Sequence, residues 1–246
     1  MMVKITTDDI GKDIDIYSEE GFELLTELWI KSSCEHKIMY EPTWLGIPII
    51  QYAEDIVMMQ ELIWKIRPDM IVETGVAHGG SAILYSSILE LIGKGKVIGV
   101  DIEIRKYNRV AINSHPMSKR ITLIEGSSVD EDIVKEVNRM IKGSDKVLVV
   151  LDSNHSYEHV LREMEIYSPF VTPDSYLVAM DGAQGMVWDI PKGKPEWKSD
   201  NPLRAIEDFV KKHNDFVVDD YYTRLRITSN PRAFLRRNVP EETGGK

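Results

Sequence analysis

The sequence predicts an α/β fold on a mostly parallel sheet of seven strands, and three observations carry that prediction. From residue 68 onward, short apolar runs alternate with segments of helical length and period, the pattern of a parallel sheet buried between helices. Several of these runs end in acidic or glycine-rich turns, and ligands bind beyond the carboxyl ends of strands in such sheets. Near the C-terminus two further runs lie close enough together to pair as a hairpin. With 246 residues, 43% hydrophobic and 28% charged, the chain can fill a core of this size.

In chain order, residues 1–68 read as an N-terminal helical cap or oligomer contact. Phe22, Leu24, Leu25, Leu28 and Trp29 recur with helical spacing, as do Ile56, Met59, Leu62, Ile63 and Ile66. Between them Pro42, Gly46 and Pro48 prevent one continuous helix. Residues 69–238 form the ligand-binding domain, with strands expected at 70–72, 97–100, 121–124, 147–151 and 176–180 and the hairpin strands at 216–218 and 224–228. Residues 239–246 read as a flexible tail.

Thirty Lys and Arg against forty Asp and Glu give a net charge of −10. That field repels phosphate backbones and anionic membranes, so a small molecule is the expected partner rather than nucleic acid. No apolar stretch approaches the roughly 20 residues of a membrane span, and no signal-length run follows Met1. Cys34, the sole cysteine, permits neither an internal disulfide nor a Cys-rich zinc site, which points to a reducing, cytoplasmic compartment.

The strongest local signal is Glu73-Thr74-Gly75-Val76-Ala77-His78-Gly79-Gly80-Ser81, an acid and a glycine-rich turn between a buried strand and a helix. The turn has no Lys and matches neither the phosphate-loop nor the dinucleotide spacing, which disfavours a nucleoside triphosphate. Its glycines allow close approach of a nucleoside, or merely close a tight turn. His78 could touch that ligand or only solvate the loop. The second strand ends at Asp101, suited to a ribose diol. The third runs into Gly126-Ser127-Ser128, which could face an adenine edge; Ser127 and Asp130 could equally cap the next helix.

Asp152 and Asp181 end the fourth and fifth strands. Two carboxylates on adjacent strand ends suit Mg²⁺, which takes one or two carboxylates and keeps several waters; a helix cap and a turn are the plainer alternative. His155, three residues after Asp152, can point into the same crevice and accept a proton near neutral pH. His159 would share its helix face, but the pair lacks the Glu of a His-Glu-x-x-His zinc site, and packing is its expected role.

These residues resemble the class I S-adenosylmethionine-dependent O-methyltransferases, specifically the cephalosporin hydroxylase-like group that includes rhamnosyl O-methyltransferases. The resemblance covers most of the chain and is carried by Trp44-Leu45-Gly46 with Gln51 and Asp55, by the stretches 68–75 and 79–82, and by Leu151-Asp152-Ser153-Asn154-His155-Ser156 with His159 and Val160. Residues 201–209 and 228–236 also fit. It implies a Rossmann-like methyltransferase fold. Glu73, Gly75, Ala77 and Ser81 would surround the methionine and ribose of the cofactor, with Asp101 on the ribose hydroxyls and Gly126, Ser127 and Ser128 on the adenine side. Asp152 and Asp181 would hold the divalent cation, and His155 stands where related catechol-type enzymes carry a basic lysine. Met180 departs from the acidic pair expected after the fifth strand, and a thioether is a poor Mg²⁺ ligand.

The function that follows is methyl transfer to a hydroxyl of a sugar, or of a phenolic or antibiotic-type scaffold, with Mg²⁺ assistance, by a homo-oligomer. Acceptor choice would lie with the N-terminal helices and the insert 182–201, including Met186, Trp188, Trp197 and Lys198. The alternatives are a non-catalytic nucleoside-binding module and a nicotinamide-dependent oxidoreductase, for which the glycines are misplaced.

Overall fold

A computed structural model describes residues 2–6 and 11–239. The chain opens with an antiparallel ribbon, β1 (Met2–Thr6) and β2 (Gly11–Asp15), followed by α1 (Glu19–Glu35). A short pair, β3 (Thr43–Trp44) and β4 (Ile47–Pro48), leads into α2 (Ala53–Ile66). The first 68 residues are therefore less purely helical than their periodicity predicts.

Strand and helix then alternate: β5 (Met70–Thr74), α3 (Gly80–Ile92), β6 (Lys96–Asp101), α4 (Lys106–Ser114), β7 (Ile121–Glu125), α5 (Glu131–Ile141), β8 (Val147–Leu151), α6 (Tyr157–Tyr167), β9 (Tyr176–Ala179) and α7 (Pro202–Lys212). Two closing strands, β10 (Phe216–Val218) and β11 (Phe234–Arg237), complete a seven-stranded sheet of order β10-β11-β9-β8-β5-β6-β7. The five strands from β9 to β7 are parallel, and β11 runs antiparallel to both β9 and β10. Strand order reverses between β5 and β8, which opens the crevice above their carboxyl ends.

β8 shows why the runs are continuously apolar. Leu148 and Val150 face a core with α2 and α3 (Met59, Leu62, Ile63, Leu84, Tyr85), while Val149 and Leu151 face one with α5, α6 and α7 (Val137, Met164, Ile206, Phe209). Both faces are buried, so the two-residue period of the strand leaves no polar position.

The hairpin expected from 216–218 and 224–228 forms with a different second strand. Residues 220–223 are a 3₁₀ turn and Arg226 takes a left-handed φ of 69°, so 224–228 cannot extend as a strand. Val217 pairs with Arg236 instead. The apolar-polar alternation of 224–228 imitates a strand, but the segment is bent to reach the crevice. Asn238 N–H still bonds Asp215 O at 2.8 Å; residues 240–246 of the expected tail lie outside the described residues.

Candidate active site

The turn after β5 is shaped by close approach. Gly75 has φ +89°, and a side chain there would run into the Asp152 carbonyl. Gly80 lies so close to Pro48 and Ile49 that a Cβ would collide with their backbone. Ala77 takes φ 45° without being glycine. Asp101 secures the turn: its Oδ2 accepts the N–H groups of Val76 and Ala77 at 2.8 and 3.0 Å, and Oδ1 accepts that of Glu103 at 3.1 Å. A carboxylate has about four acceptor sites, so a ribose diol can still bond to Asp101.

Of the cavities that flank this turn, two reach the later strand ends. One, of about 250 Å³, is lined by Gly75, Asp101, Ser127, Ser128, Ser153 and His159 among others. His159 Nε2 lies 3.1 Å from Ser153 Oγ and 3.4 Å from Ser128 Oγ, and Ser153 donates to the fully buried Glu163 at 2.8 Å. His159 is thus a polar wall of this cavity, not a packing residue. Asp130 caps α5 by accepting the Asp132 and Ile133 N–H groups, leaving Ser127 to the cavity. Gly126 has no place in its lining; a Cβ there would meet Ile133.

The other cavity, of about 190 Å³, is lined by Gln51, by residues 75–81 including His78, Gly79 and Ser81, and by Asp152, His155 and Asp181. Gln51 is 4% exposed and Glu73 is fully buried behind the turn, and neither makes a well-formed side-chain hydrogen bond, Ser81 and Tyr85 being their nearest polar neighbours. Burial first, then the Asp101 charge, pushes the Glu73 carboxyl up to about 8, so it carries a proton at neutral pH and can donate as well as accept. Orphaned polar groups beside a cradle that only glycine permits fit a nucleoside with a charged amino-acid end. Gln51 is prominent in the sequence, but no local pattern reveals its unpartnered amide.

At the floor of the crevice, one ligand atom each from Asp152, His155 and Asp181 lies within 4.8 Å of the others, and His155 Nε2 is 3.2 Å from Asp181 Oδ2. Desolvation, then Asp181, Glu73 and Glu163, push the Asp152 carboxyl well above the usual carboxylate range. Such mutual repulsion among carboxylates is relieved by a cation, and the donor set suits a divalent one. Asp152 does not cap α6; Tyr157 N–H is taken by Asp200 instead, at 2.6 Å. Met180 is 2% exposed and packed in the core, so its thioether stays away from the carboxylates. His155 and His159 line different cavities and form no zinc pair.

A third cavity, of about 220 Å³, shares Tyr40, His155 and Asp181 with the second and is otherwise mostly apolar: Ile30, Cys34, Met39, Tyr52, Ala183, Val187 and Trp197 line it. Of the insert residues singled out by sequence, Trp197 lines this cavity and Met186 packs behind it. Lys198 instead stacks over Trp188, 4.8 Å from the ring centroid, and neither joins the lining. Lys31–Asp189 at 2.7 Å and Lys192–Glu35 at 3.1 Å bind the insert to α1.

The parallel sheet with its antiparallel closing strands, and a crevice carrying acids on successive strand ends, are the architecture of the Rossmann-like methyltransferase fold. Solved structures share the fold: a CmcI structure with Mg and SAM aligns at TM-score 0.56 and 17% identity over 81% of this chain and 78% of its own. MycE, a methyltransferase of mycinamycin biosynthesis in complex with Mg, SAH and mycinamycin VI, aligns at TM-score 0.55 and 18% identity over 88% of this chain and 56% of its own. The sequence narrows the class. Residues 36–238 match the model of the rhamnosyl O-methyltransferase/CmcI family, and the rhamnosyl O-methyltransferase of Mycobacterium tuberculosis is 30% identical over 207 residues, 80% of this chain and 78% of that protein. The chain belongs to the rhamnosyl O-methyltransferase/CmcI family and is an O-methyltransferase. Among the described residues no helix is long and apolar enough to cross a membrane.

Proposed function

We propose that the chain moves the methyl group of S-adenosylmethionine to a hydroxyl of a small-molecule acceptor, a sugar first and a phenolic or antibiotic-type scaffold next. The observation that carries this reading is the meeting of Asp152, His155 and Asp181 at the junction of a polar cavity against the glycine turn and an apolar one against α1. When bound, S-adenosylmethionine supplies an electrophilic methyl group and Mg²⁺ a positive charge beside the acceptor oxygen.

The chain's own residues do the rest. Asp101, Ser127 and Ser128 hold the nucleoside, and Gln51 with residues 73–81 holds its amino-acid end. Asp152 and Asp181 would hold the cation. Tyr40, Tyr52 and Trp197 wall the acceptor so that its hydroxyl stands in line with the methyl group, the alignment on which such a transfer depends. His155 takes the hydroxyl proton as the new O–C bond forms and the S–C bond breaks, leaving S-adenosylhomocysteine and a methyl ether. Phe22, Leu25, Leu28 and Trp29 on α1, each 44–50% exposed, support a homo-oligomer built on this helix.

Calorimetry with S-adenosylhomocysteine and Mg²⁺, followed by turnover on a panel of hydroxylated acceptors, tests the proposal. Nucleoside binding with methyl transfer supports it, binding with no turnover favours the non-catalytic module, and no binding at millimolar nucleoside overturns it.

A further inference from the structure

Asp181 is held in an unfavourable conformation by residues remote in sequence. Its φ is 61°, in the left-handed region that a residue with a Cβ enters only at a cost in strain. Three contacts from one segment fix it there. The Asp181 N–H donates to Asn230 Oδ1 at 2.8 Å, the Ala183 N–H donates to Ser229 O at 2.9 Å, and Gly182 lies against Pro231. Asn230 is 1% exposed.

That segment is in turn tied to α2. Asp55, 1% exposed in the first turn of the helix, accepts Thr228 Oγ1 at 2.5 Å on Oδ1, and Ser229 N and Oγ at 2.9 and 3.0 Å on Oδ2. Thr228 Oγ1 accepts the Asn230 N–H at 2.9 Å. A buried carboxylate in such surroundings persists when its lone pairs are filled and a helix N-terminus faces it. The chain of bonds runs from Asp55 through Thr228, Ser229 and Asn230 to Asp181, across 173 residues of sequence.

We propose that Asp55 and Asn230 are positioning residues that set the Asp181 carboxylate for cation binding; this rests on the site described under Proposed function. Supports behind a metal ligand typically contribute 10–100-fold in affinity or activity. A role confined to stability would leave the ligand affinities of the folded protein unchanged.

The test compares wild type, Asn230→Ala, Asn230→Asp and Asp55→Asn in the full chain. Mn²⁺ affinity is read by electron paramagnetic resonance, S-adenosylhomocysteine affinity by calorimetry, and folding by circular dichroism. Asn230→Ala is expected to weaken Mn²⁺ binding by about tenfold or more and to lower kcat similarly, with nucleoside affinity kept within about twofold. Asn230→Asp keeps an acceptor for the Asp181 N–H and should recover most of the loss. Should Asn230→Ala misfold, Asp55→Asn is expected to give the same split between cation and nucleoside. Unchanged Mn²⁺ affinity and kcat in folded Asn230→Ala or Asp55→Asn overturns the proposal, and so does an equal loss of both affinities. If wild type binds the nucleoside but no Mn²⁺, the metal part of the proposed function fails, and kcat decides the strut: a fall with nucleoside affinity kept supports it, no change overturns it.

Discussion

On the nucleoside flank of the crevice, Glu73, the glycine turn, Asp101 and Ser127–Ser128 hang from three neighbouring parallel strands, and Asp101 ties the turn by backbone N–H bonds. The acceptor flank instead joins segments that are distant in the chain, Asp55 to Thr228, Lys31 to Asp189 and Lys192 to Glu35, and its walls are mostly apolar. Under the proposed function, the contrast teaches that methyl-donor recognition would be tied to strand register, whereas acceptor choice would be tied to packing between a cap helix and an insert. The second can change while the first is kept, as expected for a site carried on a shared fold.

The largest effect is expected where the flanks meet. His155→Ala should lower kcat about 10²–10⁴-fold at neutral pH while S-adenosylhomocysteine affinity stays within about twofold; unchanged turnover with saturating acceptor would remove His155 from the proton path.

Next comes Glu73 on the nucleoside flank. Its folded-state pKa, about 8, lies above the ordinary 4.5. Its proton therefore favours the folded state, a contribution complete below pH 4.5 and lost as pH rises through about 8. Urea unfolding should show wild type losing up to about 5 kcal/mol over that window that Glu73→Gln does not lose. Parallel pH profiles for the two proteins would mean that Glu73 does not titrate there.

Trp197→Ala probes the acceptor flank alone. Truncating this aromatic wall should raise the acceptor KM about tenfold, with nucleoside affinity unmoved; a matching loss in nucleoside affinity would break the separation of the flanks. The smallest effect belongs to the partly exposed Lys31–Asp189 pair. Lys31→Met should cost less than about 1 kcal/mol in a thermal melt, and a larger loss would show that the cap is fastened chiefly by charge.

How much of this was legible follows from the range of each interaction. The five parallel strands showed as apolar runs because both of their faces are buried, and the glycine turn showed because side chains cannot fit where it approaches Asp152 and Pro48. Asp101, Asp152 and Asp181 were visible as acids on strand ends. Residues 224–228 mislead because their alternation matches a strand, although their side chains bond to Glu61, Glu19 and Asp55 instead. His159 reads as packing although Glu163 stands four residues on along the same helix; only the fold shows that Glu163 is buried and that Ser153 bridges the two. Met180 occupies the place of an expected acid, yet its side chain enters the core.

The sequence by itself determined the alternation of strands and helices across the parallel sheet, the glycine turn and the acids that end the strands. Hydrophobic periodicity and backbone sterics act within a few residues, so they are written locally. Only the tertiary structure decided that Asp152, His155 and Asp181 converge, that Gln51 reaches the crevice with its amide unpartnered while Glu73 is buried behind the turn, and that Asn230 fixes the backbone of Asp181. Those facts depend on hydrogen bonds and packing between residues that only chain folding brings together, and no local pattern records them.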